Sequence, residues 1–132
     1  MVQTEGAAGG PFEKRTIDLS SGPVTYHVAG SGPPVLYFHS AGGIRHTYAL
    51  DELSNDYCIY MMVAPGFDDT PSHEGIDTMP ALADLAAEFA DEVIGEKVDV
   101  IGQSFGGFLS VWFTVRHPDK VGFLVPQCPS GF

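Results

Sequence analysis

Apolar residues fall in short blocks separated by turn formers. Residues 35–39 (VLYFH), 57–63 (YCIYMMV), 98–102 (VDVIG) and 121–125 (VGFLV) are nearly continuous in apolar side chains. Runs of this length, rich in Val, Ile and aromatics, predict strands buried on both faces, because a half-exposed strand alternates apolar with polar. Between Pro80 and Gly95 the period changes. Leu82, Leu85, Phe89 and Val93 recur at helical spacing, with Asp84, Glu88, Asp91 and Glu92 on the side expected to face water. Asp77 or Thr78 suits the cap of that helix, Pro80 its first turn and Gly95 its end. Residues 105–116 (FGGFLSVWFTVR) predict a second helix closed by His117-Pro118, and 45–54 a shorter one with Leu50 and Leu53 inward. Residues 14–30 hold two strand-like runs around Ser20-Ser21-Gly22-Pro23, a hairpin signal. Pro126 is expected to stop the last strand.

From residue 35 onward strand and helix alternate. That order predicts an α/β fold: a parallel sheet with right-handed crossovers, sandwiched by helices on both faces and preceded by the hairpin. Residues 1–13 read as a flexible leader and 14–132 as a single domain.

Composition narrows the function classes. The chain carries six Lys plus Arg against 17 Asp plus Glu, a net charge of −11. Phosphate binding needs a basic face, so neither nucleic acid nor an anionic membrane is an expected partner. No stretch reaches the length of an apolar membrane span. The N-terminus, MVQTEGAAGGPFEKR, lacks the basic and apolar regions of a secretory signal. Cys58 and Cys128 each adjoin apolar residues and are expected as reduced, buried thiols of a cytoplasmic protein. No Cys/His spacing predicts a metal site, and no cofactor is expected.

The candidate chemistry sits where the third of these strands meets the helix at 105. Gly102-Gln103-Ser104-Phe105-Gly106 matches G-x-S-x-G after an apolar strand and before an apolar helix. A serine in so sharp a turn takes a strained backbone, and residues two positions to either side must be small. The hydroxyl is thereby exposed at a helix start, where the Phe105 N–H and the helix dipole favour negative charge. His39-Ser40-Ala41-Gly42-Gly43 ends another strand on the same rim, where a glycine-rich turn can bring a second backbone donor close.

Together VLYFHSAGG, APGFDDT and VDVIGQSFGG, in this order, resemble the α/β-hydrolase family, and the likeness covers nearly the whole chain after residue 14. Ser40 stands where the family's His-Gly-x-x-Gly turn has its first glycine. The resemblance implies that Ser104 is the nucleophile and that the Ala41 and Phe105 amides form the oxyanion hole. His39 is expected to be structural, and Phe67 and Asp68 to serve loop packing rather than substrate.

That family orders its triad Ser, then Asp or Glu, then His. After Ser104 the chain offers only Asp119 and His117. They lie beyond a helix of about twelve residues, which at ~1.5 Å each places them about 18 Å away. The chain therefore resembles the first half of a hydrolase, a truncated core without counterparts for the cap, acid and histidine. His39, His46 and His73 lie on or near the correct rim as possible bases, each also readable as a structural or loop residue. A histidine from a second copy is another route. The strand at 121–125 is expected to leave an open apolar edge that pairs the chain as a homodimer. The expected activity is hydrolysis of small carboxylic esters or related acyl substrates. The alternative is a non-catalytic half-fold that self-associates or complements another chain. Dinucleotide binding is disfavoured, because G-x-G-x-x-G is absent.

Overall fold

The computed structural model describes residues 11–131; residues 1–10 of the expected leader lie outside them. Six strands form one sheet: β1 (Glu13–Leu19), β2 (Gly22–Ala29), β3 (Pro34–Phe38), β4 (Cys58–Met62), β5 (Val98–Gln103) and β6 (Val121–Gln127). Their spatial order is β1-β2-β4-β3-β5-β6. The β1–β2 hairpin turns at Ser20-Ser21, as its sequence predicts, and β2 pairs antiparallel with β4. The β4-β3-β5-β6 portion is parallel throughout.

The helices are α1 (Tyr48–Leu53), α2 (Met79–Phe89) and α3 (Phe105–Arg116). Thr78 caps α2, its side chain accepting from the Ala81 amide at 3.2 Å. A π-helical turn (Ala90–Ile94) continues α2 to Gly95, whose φ of 77° ends it. Helix α1 is shorter than its sequence suggested, because Thr47 caps it.

The continuous apolar strands follow from cover on both faces. Leu36, Phe38, Met62, Val98 and Val100 pack with α2 and α3, through Leu82, Leu85, Phe89, Leu109 and Phe113. Val35, Tyr37, Ile59 and Met61 point the other way and meet Leu50 of α1. The two faces bury alternate residues of the same strands, so β3 and β4 carry almost no polar side chain, while β5 carries Asp99, which accepts from the Phe123 amide of β6 at 2.8 Å, and Gln103 at its end.

Three expectations need correction. Strand β6 is not buried and does not stop at Pro126: it pairs with β5 through Gln127, with Phe123 76% and Val125 46% exposed. It is an edge strand of the sheet, as β1 is on the opposite side, and an edge tolerates proline where the missing N–H would point away from the sheet. The open apolar edge itself is as expected. The acidic face of α2 is not simply solvated. Asp84 accepts from Arg116 Nε at 2.9 Å and from His117 Nε2 at 2.8 Å, Glu88 from the Ser20 amide and hydroxyl, each at 2.8 Å, and Asp91 from Lys120 at 2.7 Å. These carboxylates tie α2 to the hairpin and to the end of α3. Finally, Cys128 is exposed rather than buried, and Cys58 is half-buried; both are free thiols.

Candidate active site

The ends of β3, β4 and β5 meet on one rim. Ser104 lies between β5 and α3 with φ 56° and ψ −112°, a conformation that L-residues rarely adopt. The glycines two residues away explain how the turn closes. A Cβ on Gly102 would collide with the carbonyl oxygen of Gly106, and a Cβ on Gly106 with those of Phe38 and His39. The chain around the elbow is clasped from the far side as well. The Ser104 amide donates to Gln127 O at 2.9 Å, and its carbonyl accepts from the Phe108 and Ser130 amides at 3.0 and 3.1 Å. Tyr37 Oη donates to Gln103 Oε1 at 3.2 Å.

Phe105 is the first residue of α3, so its amide is one that the helix itself leaves unsatisfied. Ala41 is exposed in a turn closed by Gly43 N to Ser40 O at 3.0 Å. Among the described residues, neither the Ala41 nor the Phe105 amide donates a hydrogen bond to another group. Asp68, in the left-handed region at φ 44°, holds this turn by accepting from the Ile44 amide at 2.8 Å. Its carboxylate oxygen lies 2.7 Å from where a Cβ on Gly43 would be, so that position has no room for a side chain.

His39 is buried, and the Ala64 amide donates to its Nε2 at 3.1 Å. Nε2 is thus unprotonated, and Nδ1 donates to Ser40 O at 2.7 Å. Burial lowers the ring's proton affinity, outweighing the hydrogen bond to Ser40 and the Asp68 charge. His73 also has both nitrogens engaged, with Ser21 Oγ at 2.7 Å and Pro23 O at 2.8 Å, under the hairpin. His46 packs at a tilt against Phe12 and His27, with ring centroids 5.1 and 5.0 Å apart. His27 belongs to β2, three strand positions from β5 in the sheet order. At ~4.8 Å per strand that is about 14 Å, beyond reach of Ser104. The three sequence candidates are therefore not gathered around the serine. His117 sits at the far end of α3 against Asp84, as its spacing predicts.

One feature of the rim is not legible from the motifs. His39, Phe67 and Phe105, each in the segment that follows one of the central strands, pack ring against ring. The centroids are 4.8 Å (His39–Phe67), 5.7 Å (Phe67–Phe105) and 6.5 Å (His39–Phe105) apart. Beside them a cleft of about 250 Å³ opens between the start of α2 and the start of α3. Among the described residues no cluster of His, Cys, Asp or Glu is arranged to hold a metal ion, and no helix is long and apolar enough to cross a membrane.

Comparison with known proteins places this geometry. The α/β-hydrolase fold model matches residues 33–131. The chain is 33% identical over 95 residues to a pimeloyl-[acyl-carrier protein] methyl ester esterase of Chromobacterium violaceum, covering 70% of this chain and 35% of that protein. It is 34% identical over 108 residues to a 2-hydroxy-6-oxo-2,4-heptadienoate hydrolase of Pseudomonas putida, covering 75% and 38% respectively. The structure of naproxen esterase from Bacillus subtilis superposes with a TM-score of 0.79 at 20% identity, over 90% of this chain and 44% of that one, a likeness of fold. The chain thus spans little more than a third of the length of these curated relatives. With the family model covering most of the chain, and the strand order and elbow described above, the chain belongs to the α/β-hydrolase fold family.

Proposed function

We propose that this chain carries the nucleophile and oxyanion hole of a serine hydrolase acting on small carboxylic esters or related acyl substrates. Ser104 Oγ attacks the acyl carbon as its proton passes to a histidine. The oxyanion is held by the Ala41 and Phe105 amides, the histidine returns the proton to the leaving alcohol, and water then cleaves the acyl-serine. The observation that carries this reading is the Ser104 backbone at φ 56° and ψ −112°, kept there by glycines whose positions admit no side chain. Strain of this kind persists where surrounding structure enforces it, and it sets the hydroxyl at a helix start.

Neither His39 nor His73 is the accepting histidine, since both have their ring nitrogens engaged elsewhere. The exposed β6 edge, with Phe123 and Val125, is where a second copy docks to form a homodimer. Hydrolysis of p-nitrophenyl butyrate, measured against protein concentration, tests this. Specific activity rises with concentration and is lost in Ser104→Ala. Concentration-independent turnover that survives Ser104→Ala would overturn it.

The same engaged histidines favour one second reading, a non-catalytic half-fold that associates with another chain. A stable complex with no turnover above the Ser104→Ala control at any concentration would establish it.

A further inference from the structure

The turn that carries Ala41 is anchored at both ends to a single loop. Ser40-Ala41-Gly42-Gly43 closes on itself as Gly43 N donates to Ser40 O at 3.0 Å. Upstream, His39 donates from Nδ1 to Ser40 O and accepts the Ala64 amide at Nε2. Downstream, Asp68 Oδ2 accepts the Ile44 amide at 2.8 Å, and the same carboxylate lies against Gly43, where a side chain would displace it. Ala64 and Asp68 both belong to the segment that follows β4. That segment is itself fixed. Phe67 N donates to Ala64 O at 3.1 Å, and Thr70 N to Phe67 O and Gly66 N to Thr70 O, each at 3.0 Å. Buried Thr70 accepts the Thr25 amide of β2 at 2.9 Å, and Lys14 of β1 pairs with Asp69 at 2.6 Å.

Two features single out Asp68 within this loop. Its φ of 44° is a conformation that glycine adopts freely and most side chains avoid, Asp and Asn being the common exceptions. Its side chain is exposed, where a hydrogen bond competes with water and adds little to folding. A negative charge near an oxyanion is also unfavourable in itself. What the carboxylate supplies is therefore placement. We infer that Asp68 is a positioning residue, whose carboxylate fixes the Ser40–Gly43 turn so that the Ala41 N–H meets the oxyanion formed at Ser104. The inference rests on the hydrolase reading for the oxyanion, but the tether is measurable without chemistry.

Asp68→Asn keeps an oxygen for the Ile44 amide and tolerates the same φ, whereas Asp68→Ala and Asp68→Gly lose the acceptor. Glycine alone is relaxed at φ 44°, so Asp68→Gly should unfold at a higher urea concentration than Asp68→Ala. Labelling of Ser104 by diisopropyl fluorophosphate should follow a different order. The rate should stay within about threefold of wild type in Asp68→Asn and fall by about tenfold to a hundredfold in both Asp68→Ala and Asp68→Gly. Asp69→Asn, which removes the neighbouring charge without touching the turn, should label at the wild-type rate. Hydrogen exchange reads the tether directly. The Gly43 amide, bonded to Ser40 O and not to Asp68, should exchange faster in Asp68→Ala and Asp68→Gly, with the Phe108 amide at the start of α3 unchanged.

Labelling rates that track the urea midpoints, Asp68→Asn as slow as Asp68→Ala, faster labelling in every Asp68 variant, or an unmoved Gly43 amide would each overturn the inference. The two claims fail separately. Labelling at one rate in wild type and all Asp68 variants removes the positioning role and leaves the hydrolase reading. A wild-type protein that takes no label, while Gly43 loosens in Asp68→Ala, removes the hydrolase reading and its oxyanion and leaves only the tether.

Discussion

His39 Nε2 accepts the Ala64 amide at 3.1 Å, so the residue that ends β3 is tethered to the chain leaving β4. This bond exists only while the ring is neutral. Burial already lowers the proton affinity of His39 below its ordinary value of 6.5. A depressed folded-state value means that the unfolded chain binds the proton first as pH falls. The stabilisation is therefore present above about pH 6.5 and lost as pH drops through the folded-state value. His27, lowered chiefly by burial, adds in the same direction. Urea unfolding between about pH 7 and pH 5 should show falling stability, and His39→Gln should show a shallower fall. An unchanged slope in the variant would count against the neutral tether.

The strain at Ser104 predicts an unusual sign. Replacing a serine by glycine ordinarily costs stability through chain entropy. At φ 56° and ψ −112° the glycine is the relaxed residue. Strain of about 1–3 kcal/mol exceeds that entropy cost, so Ser104→Gly should be more stable than wild type by about 1 kcal/mol, while Ser104→Ala should gain nothing. Chemical denaturation of the three proteins decides this.

Gly106 has the opposite expectation. A methyl there meets main-chain carbonyls of Phe38 and His39, which cannot swing aside like a side chain. Gly106→Ala should cost about 3 kcal/mol or prevent folding. Gly75 is the control, since its added Cβ meets nothing within 4 Å and only its φ of 86° is unfavourable. Gly75→Ala should cost about 1 kcal/mol. Equal thermal shifts in the two variants would contradict the steric account of the elbow.

The two thiols should react at different rates. Cys128 is exposed just after β6, whereas Cys58 is half-buried at the start of β4. Ellman's reagent on the folded protein should release one equivalent quickly and the second slowly, with Cys128→Ser removing the fast phase. Two slow phases would return both thiols to the interior.

Much of this architecture is legible in the sequence because its causes are local. Both-face burial makes β3, β4 and β5 read as continuous apolar runs, and Thr78, Pro80 and Gly95 mark α2 by capping chemistry. The elbow is legible for a steric reason, since its glycines answer contacts within a few residues and one neighbouring strand. What stays hidden depends on partners far along the chain. Nothing near Asp84 or Glu88 announces Arg116 or Ser20, 32 and 68 residues away. Residues 121–125 look like a buried strand because apolar composition does not reveal that β6 is an edge. His39, His46 and His73 are equally plausible bases until their partners are seen. Phe67 joins His39 and Phe105 through an irregular loop that carries no periodicity.

On the proposed reading, the turn at Ser104 presents a reactive hydroxyl beside two backbone donors. Incubation of the folded protein with diisopropyl fluorophosphate, followed by intact mass and peptide mapping, tests it most directly. A single adduct on Ser104 is expected in the wild type and none in Ser104→Ala. A folded wild-type protein that takes up no label, or takes it up at another residue, would contradict it.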